Sequence, residues 1–159
     1  MITQMNPDRP GFELPLLLAG AFRALIDALH VELAERGHPD ARPVHGFALQ
    51  AIGQDGATLS ELGRRLGVSK QAAAKTAAAL ERVGYVLREH HPTDARAVQL
   101  RRTPRGEELL SLSAEIFARM RAGWAHDLGP ERIRALEDDL ERIAITGKAT
   151  LGDLPGWLR

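Results

Sequence analysis

The sequence predicts a mainly α fold, in which a winged helix-turn-helix domain with a small β-hairpin wing is flanked by N- and C-terminal dimerisation helices. Three observations predict it. "TLSELGRRLGVSKQAAAKTAAALERVGYV" holds two short helical patterns joined at a glycine, "YVLREH" and "AVQLRR" are strand-like runs separated by the turn-rich "HPTDAR", and long helical stripes of apolar residues stand on either side. The expected division is 1–40 for an N-terminal dimerisation helix region, 41–104 for the winged helix and 105–159 for C-terminal dimerisation helices. A chain of 159 residues suits one core, or a small domain with added helices that build an oligomer.

From Glu13 to Gly37, Leu14, Leu17, Leu18, Phe22, Leu25, Ile26, Leu29 and Leu33 repeat at the spacing of one helical face, and Gly37 with Pro39 supplies the stop. Pro43 opens a short second helix carrying Val44, Phe47, Leu49 and Ile52 toward Gly53 and Gly56. Thr58 and Glu61 form a capping box for the third, whose apolar edge is Leu59, Leu62 and Leu66. Gly67 permits the tight turn, Val68 drops into the core, and Ser69 caps a fourth helix running to about Val83. In the hairpin that follows, alternation sets Val98 and Leu100 toward the helices and Gln99 and Arg101 outward. Thr103 and Pro104 start a long helix with Leu109, Leu112, Ile116, Phe117, Met120 and Trp124 on one side, and Gly129-Pro130-Glu131 opens a last helix through Leu136, Leu140 and Ile143.

Net charge is zero, yet the charges are segregated. Ser60 to Arg105 holds ten Lys or Arg against four acids, a net +6, as expected of a polyanion-binding segment on a neutral scaffold. The absence of cysteine excludes disulfides, thiolate metal sites and thiol redox sensing. The N-terminal "MITQMNPDRPGFELP" lacks the basic start and apolar run of an export signal, and the apolar window Leu14 to Phe22 meets Arg23 and Asp27 short of the roughly 20 residues that cross a bilayer. A cytoplasmic protein with no membrane partner is expected.

On the helix from Ser69 to Val83, Ala73, Thr76, Ala77 and Leu80 lie inward, while Lys70, Gln71, Ala74, Lys75 and Ala78 lie outward. The outward face suits double-stranded DNA: Ser69 and Lys75 on phosphates, Lys70 and Gln71 on base edges, alanine methyls such as that of Ala74 against thymine. The plainer reading is an alanine-rich helix solvated by two lysines. Arg96, near the hairpin tip, suits insertion into a narrow minor groove, with Asp94 ordering the turn and holding the arginine's direction; its plainer reading is a solvated surface residue. His90 and His91 beside Asp94 suggest a metal at first sight, but adjacent strand residues point to opposite faces, and no metal or cofactor is expected. Nor do the motifs of nucleophilic, phosphate-loop or zinc-dependent catalysis occur, so no enzyme is expected.

These segments resemble the MarR family of bacterial transcription regulators, dimeric winged-helix proteins. The resemblance rests on "LSELGRRLGVSKQAAAKTAAALERVGYV" and "HPTDARAVQLRRTPRG", with Asp94-x-Arg96, the outgoing strand, Thr103 and Gly106 in the family's register, and it covers residues 44 to 125 closely and the terminal helices by pattern. It implies a homodimer with interlocked terminal helices, recognition helices in successive major grooves carrying Ser69, Lys70, Gln71 and Lys75, and wings carrying Arg96 in minor grooves. It also implies a pocket for a small aromatic or anionic effector between the dimer helices and the DNA-binding lobe, with His30, His45, Phe47, Gln50 and Trp124 as its lining. The function so implied is a ligand-responsive repressor of an inverted-repeat operator. The sequence departs from the family at Ala72, Ala74, Ala78 and Ala79, where members carry polar or basic residues. That alanine face supports the alternative, a winged-helix protein-interaction module that has lost DNA readout.

Overall fold

The computed structural model describes residues 9–91 and 93–146, and their side chains except at 91, 94–97, 145 and 146. The C-terminal "GDLPGWLR" with Trp157, the residue Pro92 and the side chains of Asp94 and Arg96 lie outside the described residues. In chain order the elements are α1 (Glu13–Glu35), α2 (Pro43–Ile52), β1 (Ala57–Thr58), α3 (Leu59–Leu66), α4 (Lys70–Arg82), β2 (Val86–His91), β3 (Asp94–Arg102), α5 (Pro104–Leu128) and α6 (Pro130–Thr146). This is the mainly α winged helix that the sequence predicts.

The local signals act where they were read. Thr58 N–H donates to Glu61 Oε2 at 2.8 Å while Glu61 N–H donates back to Thr58 Oγ1 at 3.2 Å, so both ends of the capping box are closed. Those bonds favour the carboxylate, and Glu61 is held below the usual carboxyl range. Gly67 ends α3 in the left-handed region at φ 64°, which lets Val68 N–H reach back to the Gly63 carbonyl at 2.9 Å. Ser69 Oγ then accepts from Ala72 N–H at 3.1 Å and starts α4.

One apolar core joins the helices of the lobe to the inner ends of α1 and α5. Leu49 and Ile52 of α2, Leu62 and Leu66 of α3, Ala73, Ala77 and Leu80 of α4, Leu100 of β3, and Leu109 and Ile116 of α5 are buried together with Leu29 and Leu33. Gly106 makes this junction close: a Cβ there would lie 2.2 Å from the Tyr85 carbonyl oxygen, so only glycine lets α5 start against that backbone.

The wing differs from expectation in three respects. A third strand, β1, pairs with β3, setting Ala57 opposite Leu100 and Thr58 opposite Gln99 in the sheet order β1-β3-β2. The strands also run further into "HPTDAR" than turn composition suggested. His91 pairs with Asp94 beyond an irregularity after His90, so Asp94 begins β3 instead of shaping a six-residue turn. Finally, Gln99 is buried and Val98 exposed. Val98 shares the face of Leu100 but lies further out on the hairpin, whereas Gln99 is enclosed between Thr58 and Glu89 and donates to Glu89 Oε1 at 3.2 Å. Arg101 Nε meets the same Glu89 oxygen at 3.1 Å.

The terminal stripes are only half used within one chain. Of the α1 stripe, Ile26, Leu29 and Leu33 are buried, while Leu14, Leu17, Leu18 and Phe22 remain exposed; Ile133 is buried in α6, where Leu136, Leu140 and Ile143 are exposed. By length and composition α1 could cross a membrane. Its C-terminal half is instead bound to α5, through Arg36 on Glu115 at 2.9 Å and through an Arg119–Glu32 pair.

Candidate nucleic-acid interface

Ser69, Lys70, Gln71, Lys75 and Ala78 are all exposed along α4, and Ala74 between them is half-buried. The inward positions Ala73, Ala77 and Leu80 fix that orientation, since they are wholly buried against α2 and α3. Ser69 Oγ accepts from the helix, which leaves its hydroxyl hydrogen able to donate outward. Because every side chain between Gln71 and Lys75 is a methyl, the α4 backbone can approach a flat or grooved surface closely.

The basic middle of the chain separates into two sets. Several arginines are spent internally: Arg65 Nη1 donates to the Ala51 carbonyl at 2.7 Å, Arg88 pairs with Glu81, Arg101 with Glu89, and Arg105 Nη2 donates to the Gly37 carbonyl at 2.9 Å. Lys70, Lys75 and Arg82 are exposed and have no acidic partner among the described residues. Their charge is uncompensated locally, which is the condition for binding a polyanion. The backbone of residues 94–96 is strand, so Arg96 stands on the outer part of β3 next to the hairpin end.

Where α4 passes into β2 it is anchored by a buried polar group. Tyr85 is fully buried, and its hydroxyl lies 3.0 Å from His38 Nδ1 in the α1–α2 turn. His38 Nε2 is 3.4 Å from Glu108 Oε2 but lacks hydrogen-bond geometry. With a carboxylate facing Nε2, that nitrogen carries the proton and the tyrosine hydroxyl donates to Nδ1. Burial, and Arg105 beside it, hold His38 below the usual histidine range. The Arg105 guanidinium also lies 5.5 Å above the Tyr85 ring. No periodicity in the sequence announces this contact, which joins positions 47 residues apart.

A cavity of about 320 Å³ opens between α1, α2 and α5. His30, Phe47 and Gln50 line it. His45 and Trp124 do not, and the reasons are geometric. His45 is two residues from Phe47, about 200° around α2 at 100° per residue, so it turns inward, where it is buried with its ring edge-on to Tyr85. Trp124 follows Phe117 by two turns of α5 and lines a second groove with Leu25, Ile133 and Leu136. Phe117, Ser113 and Arg42, which the sequence did not single out for this role, complete the first cavity with the aliphatic residues around them. Among the described residues no group of three or more His, Cys, Asp or Glu is placed to hold a metal ion.

A family model described as MarR family matches residues 42–97. Comparison with curated proteins found no match. Among solved structures, the chain is similar to Streptococcus pneumoniae FabT in complex with DNA, at 20% identity and TM-score 0.73, over 87% of this chain and 98% of that one. It is similar to the transcriptional regulator Tm0710 from Thermotoga maritima at 25% identity and TM-score 0.59, over 86% and 94%. It is also similar to the S. aureus MepR–DNA complex at 19% identity and TM-score 0.62, over 82% and 94%. These likenesses cover more of the chain than the lobe matched by the family model.

Proposed function

We propose that this chain is a MarR-family winged-helix protein and that it acts as a homodimeric transcriptional regulator which represses by occupying an inverted-repeat operator. The observation that carries the reading is the exposed α4 face, on which Ser69, Lys70, Gln71 and Lys75 surround Ala74 and no acid neutralises the lysines. Ser69 and Lys75 take phosphates, Lys70 and Gln71 reach base edges in the major groove, and Arg96 enters the flanking minor groove from the wing, with Asp94 holding its direction. That FabT and MepR are solved with DNA supports the same assignment. The exposed leucines of α1 and the apolar edge of α6 form the dimer face, which sets two α4 helices on one side of a duplex. The cavity beside α2 receives a small effector that loosens DNA binding. Such a protein works in the cytoplasm, without catalysis.

Fluorescence anisotropy against duplexes selected from a random pool tests the reading. Salt-dependent binding to duplexes with inverted half-sites about 10 base pairs apart, centre to centre, is expected. Absence of salt-dependent binding to any duplex overturns it in favour of a protein-interaction module, for which the alanine-rich face of α4 is the supporting feature.

A further inference from the structure

The cavity between α1, α2 and α5 is walled mainly by apolar side chains, with Phe47 on α2 and Phe117 on α5, and of the four polar residues that line it Arg42 and Gln50 are exposed, while His30 on α1 and Ser113 on α5 are half-buried. Both have already given a hydrogen to the protein. His30 Nδ1 lies 2.7 Å from the Ile26 carbonyl oxygen. A carbonyl only accepts, so the neutral ring carries its proton on Nδ1, and Nε2 is left as a lone pair. Ser113 Oγ lies 2.7 Å from the Leu109 carbonyl and donates to it, which likewise leaves that oxygen with lone pairs alone. Neither Nε2 nor this oxygen has a further partner among the described residues. Among the described residues no carboxylate lines the cavity, and the two lining residues with spare donors, Arg42 and Gln50, are exposed.

We infer that the cavity selects a neutral, flat apolar ligand bearing a hydrogen-bond donor, such as a phenol or an N–H heterocycle, and discriminates against the matching carboxylate. This rests on the effector-site reading above and names the ligand class for it. A volume of about 320 Å³ is at the small end for ligand sites and suits one or two fused rings, with the phenylalanines providing aromatic faces. A donor reaching His30 Nε2 or Ser113 Oγ makes a hydrogen bond that these acceptors lack among the described residues. A carboxylate in the same place gives up its water to face lone pairs.

Three probes share one ring system and separate the possibilities: 2-naphthol has a donor, 2-methoxynaphthalene has none, and 2-naphthoate is an anion. Titration calorimetry on the full chain at pH 8 reads their affinities. The expected result is binding of 2-naphthol about tenfold tighter than the ether, the worth of one hydrogen bond, and tighter than the anion. Ser113→Ala reduces that preference and His30→Phe with Ser113→Ala abolishes it, with thermal melting confirming that each variant is folded. Equal binding of alcohol and ether to the unaltered protein overturns the inference. So does tightest binding by 2-naphthoate with loss on Arg42→Ala, a result that leaves the effector site itself standing. Binding of none of the three overturns both.

Discussion

Arg102 Nε donates to the Leu49 carbonyl at 2.8 Å, and the Nη1 of the same guanidinium meets Glu107 Oε1 at 3.2 Å. The end of the wing's return strand is thereby fastened to the last turn of α2 and the first turn of α5. The Arg102 side chain is only 9% exposed, so its removal leaves the Leu49 carbonyl with the Gly53 N–H alone, at 3.3 Å, as well as breaking an ion pair. Arg102→Ala is expected to lower stability by about 1–3 kcal/mol, and Arg102→Lys to recover part of it. Urea denaturation of the three proteins measures both changes.

Gly106→Ala places a methyl 2.2 Å from the Tyr85 carbonyl oxygen, a backbone atom that cannot turn aside as a flexible side chain would. Destabilisation of about 2–3 kcal/mol is expected from overpacking, or failure to fold. Gly46→Ala is the contrast. Its added Cβ meets nothing within 4 Å, and in the α2 interior it should stabilise by about 0.5–1 kcal/mol. Thermal melting of the pair distinguishes a packing cost from a general intolerance of alanine.

Burial, with Arg42 beside it, pulls the His45 pKa down to about 4. In the unfolded chain the ring takes its proton near the ordinary value of about 6.5, whereas the folded ring stays neutral until about pH 4. The unfolded state therefore binds more protons in that window. Stability is fully present above pH 6.5 and declines as pH falls toward 4, and His38, also lowered by burial, acts in the same direction. Unfolding midpoints at pH 7.5 and 5 should differ in the native protein and differ less in a folded His45→Asn variant, where His38 still acts.

Lys75→Ala should weaken binding to all duplexes alike. If its charge sits on a phosphate, the slope of log K against log salt falls by about 0.9. Arg96→Ala should weaken binding at fixed salt and leave the thermal melt unchanged. Anisotropy titrations from low to moderate salt follow both variants.

Leu17 on α1 is 53% exposed within one chain. Burial of one leucine is worth about 1.5–3 kcal/mol, and Leu17→Glu replaces that gain with a buried charge at each copy of the face. The dimer dissociation constant should rise about tenfold or more, read by sedimentation velocity, with DNA affinity falling in parallel.

What was legible in the sequence was what neighbours dictate to neighbours. Thr58 with Glu61, Gly67 and Ser69 each act within one helical turn, and the period of Ala73, Ala77 and Leu80 oriented α4 without any knowledge of its surroundings. The contacts that join distant segments left no such trace. Tyr85 meets His38 across 47 positions and Arg102 meets Leu49 across 53, so nothing in the sequence near the half-buried arginine or the buried histidine announced its partner. β1 escaped because two residues are too few for alternation to register, and its pairing in turn buried Gln99 against the pattern of its own strand. At the cavity, the family resemblance implied His30, Phe47 and Gln50, which line it, and also His45, which the phase of α2 turns away.

The knot around Tyr85 also bears on how the protein opens. Tyr85 accepts from Thr103 N–H at 3.0 Å and pairs with His38, while Arg105 donates to the Gly37 and Val83 carbonyls. The α1–α2 turn, the end of α4 and the start of α5 thus hold one another's backbone groups, and none can be released to solvent singly. In amide hydrogen exchange they form a single cooperative unit whose protection is lost at one rate, however unequal their separate distances from the surface.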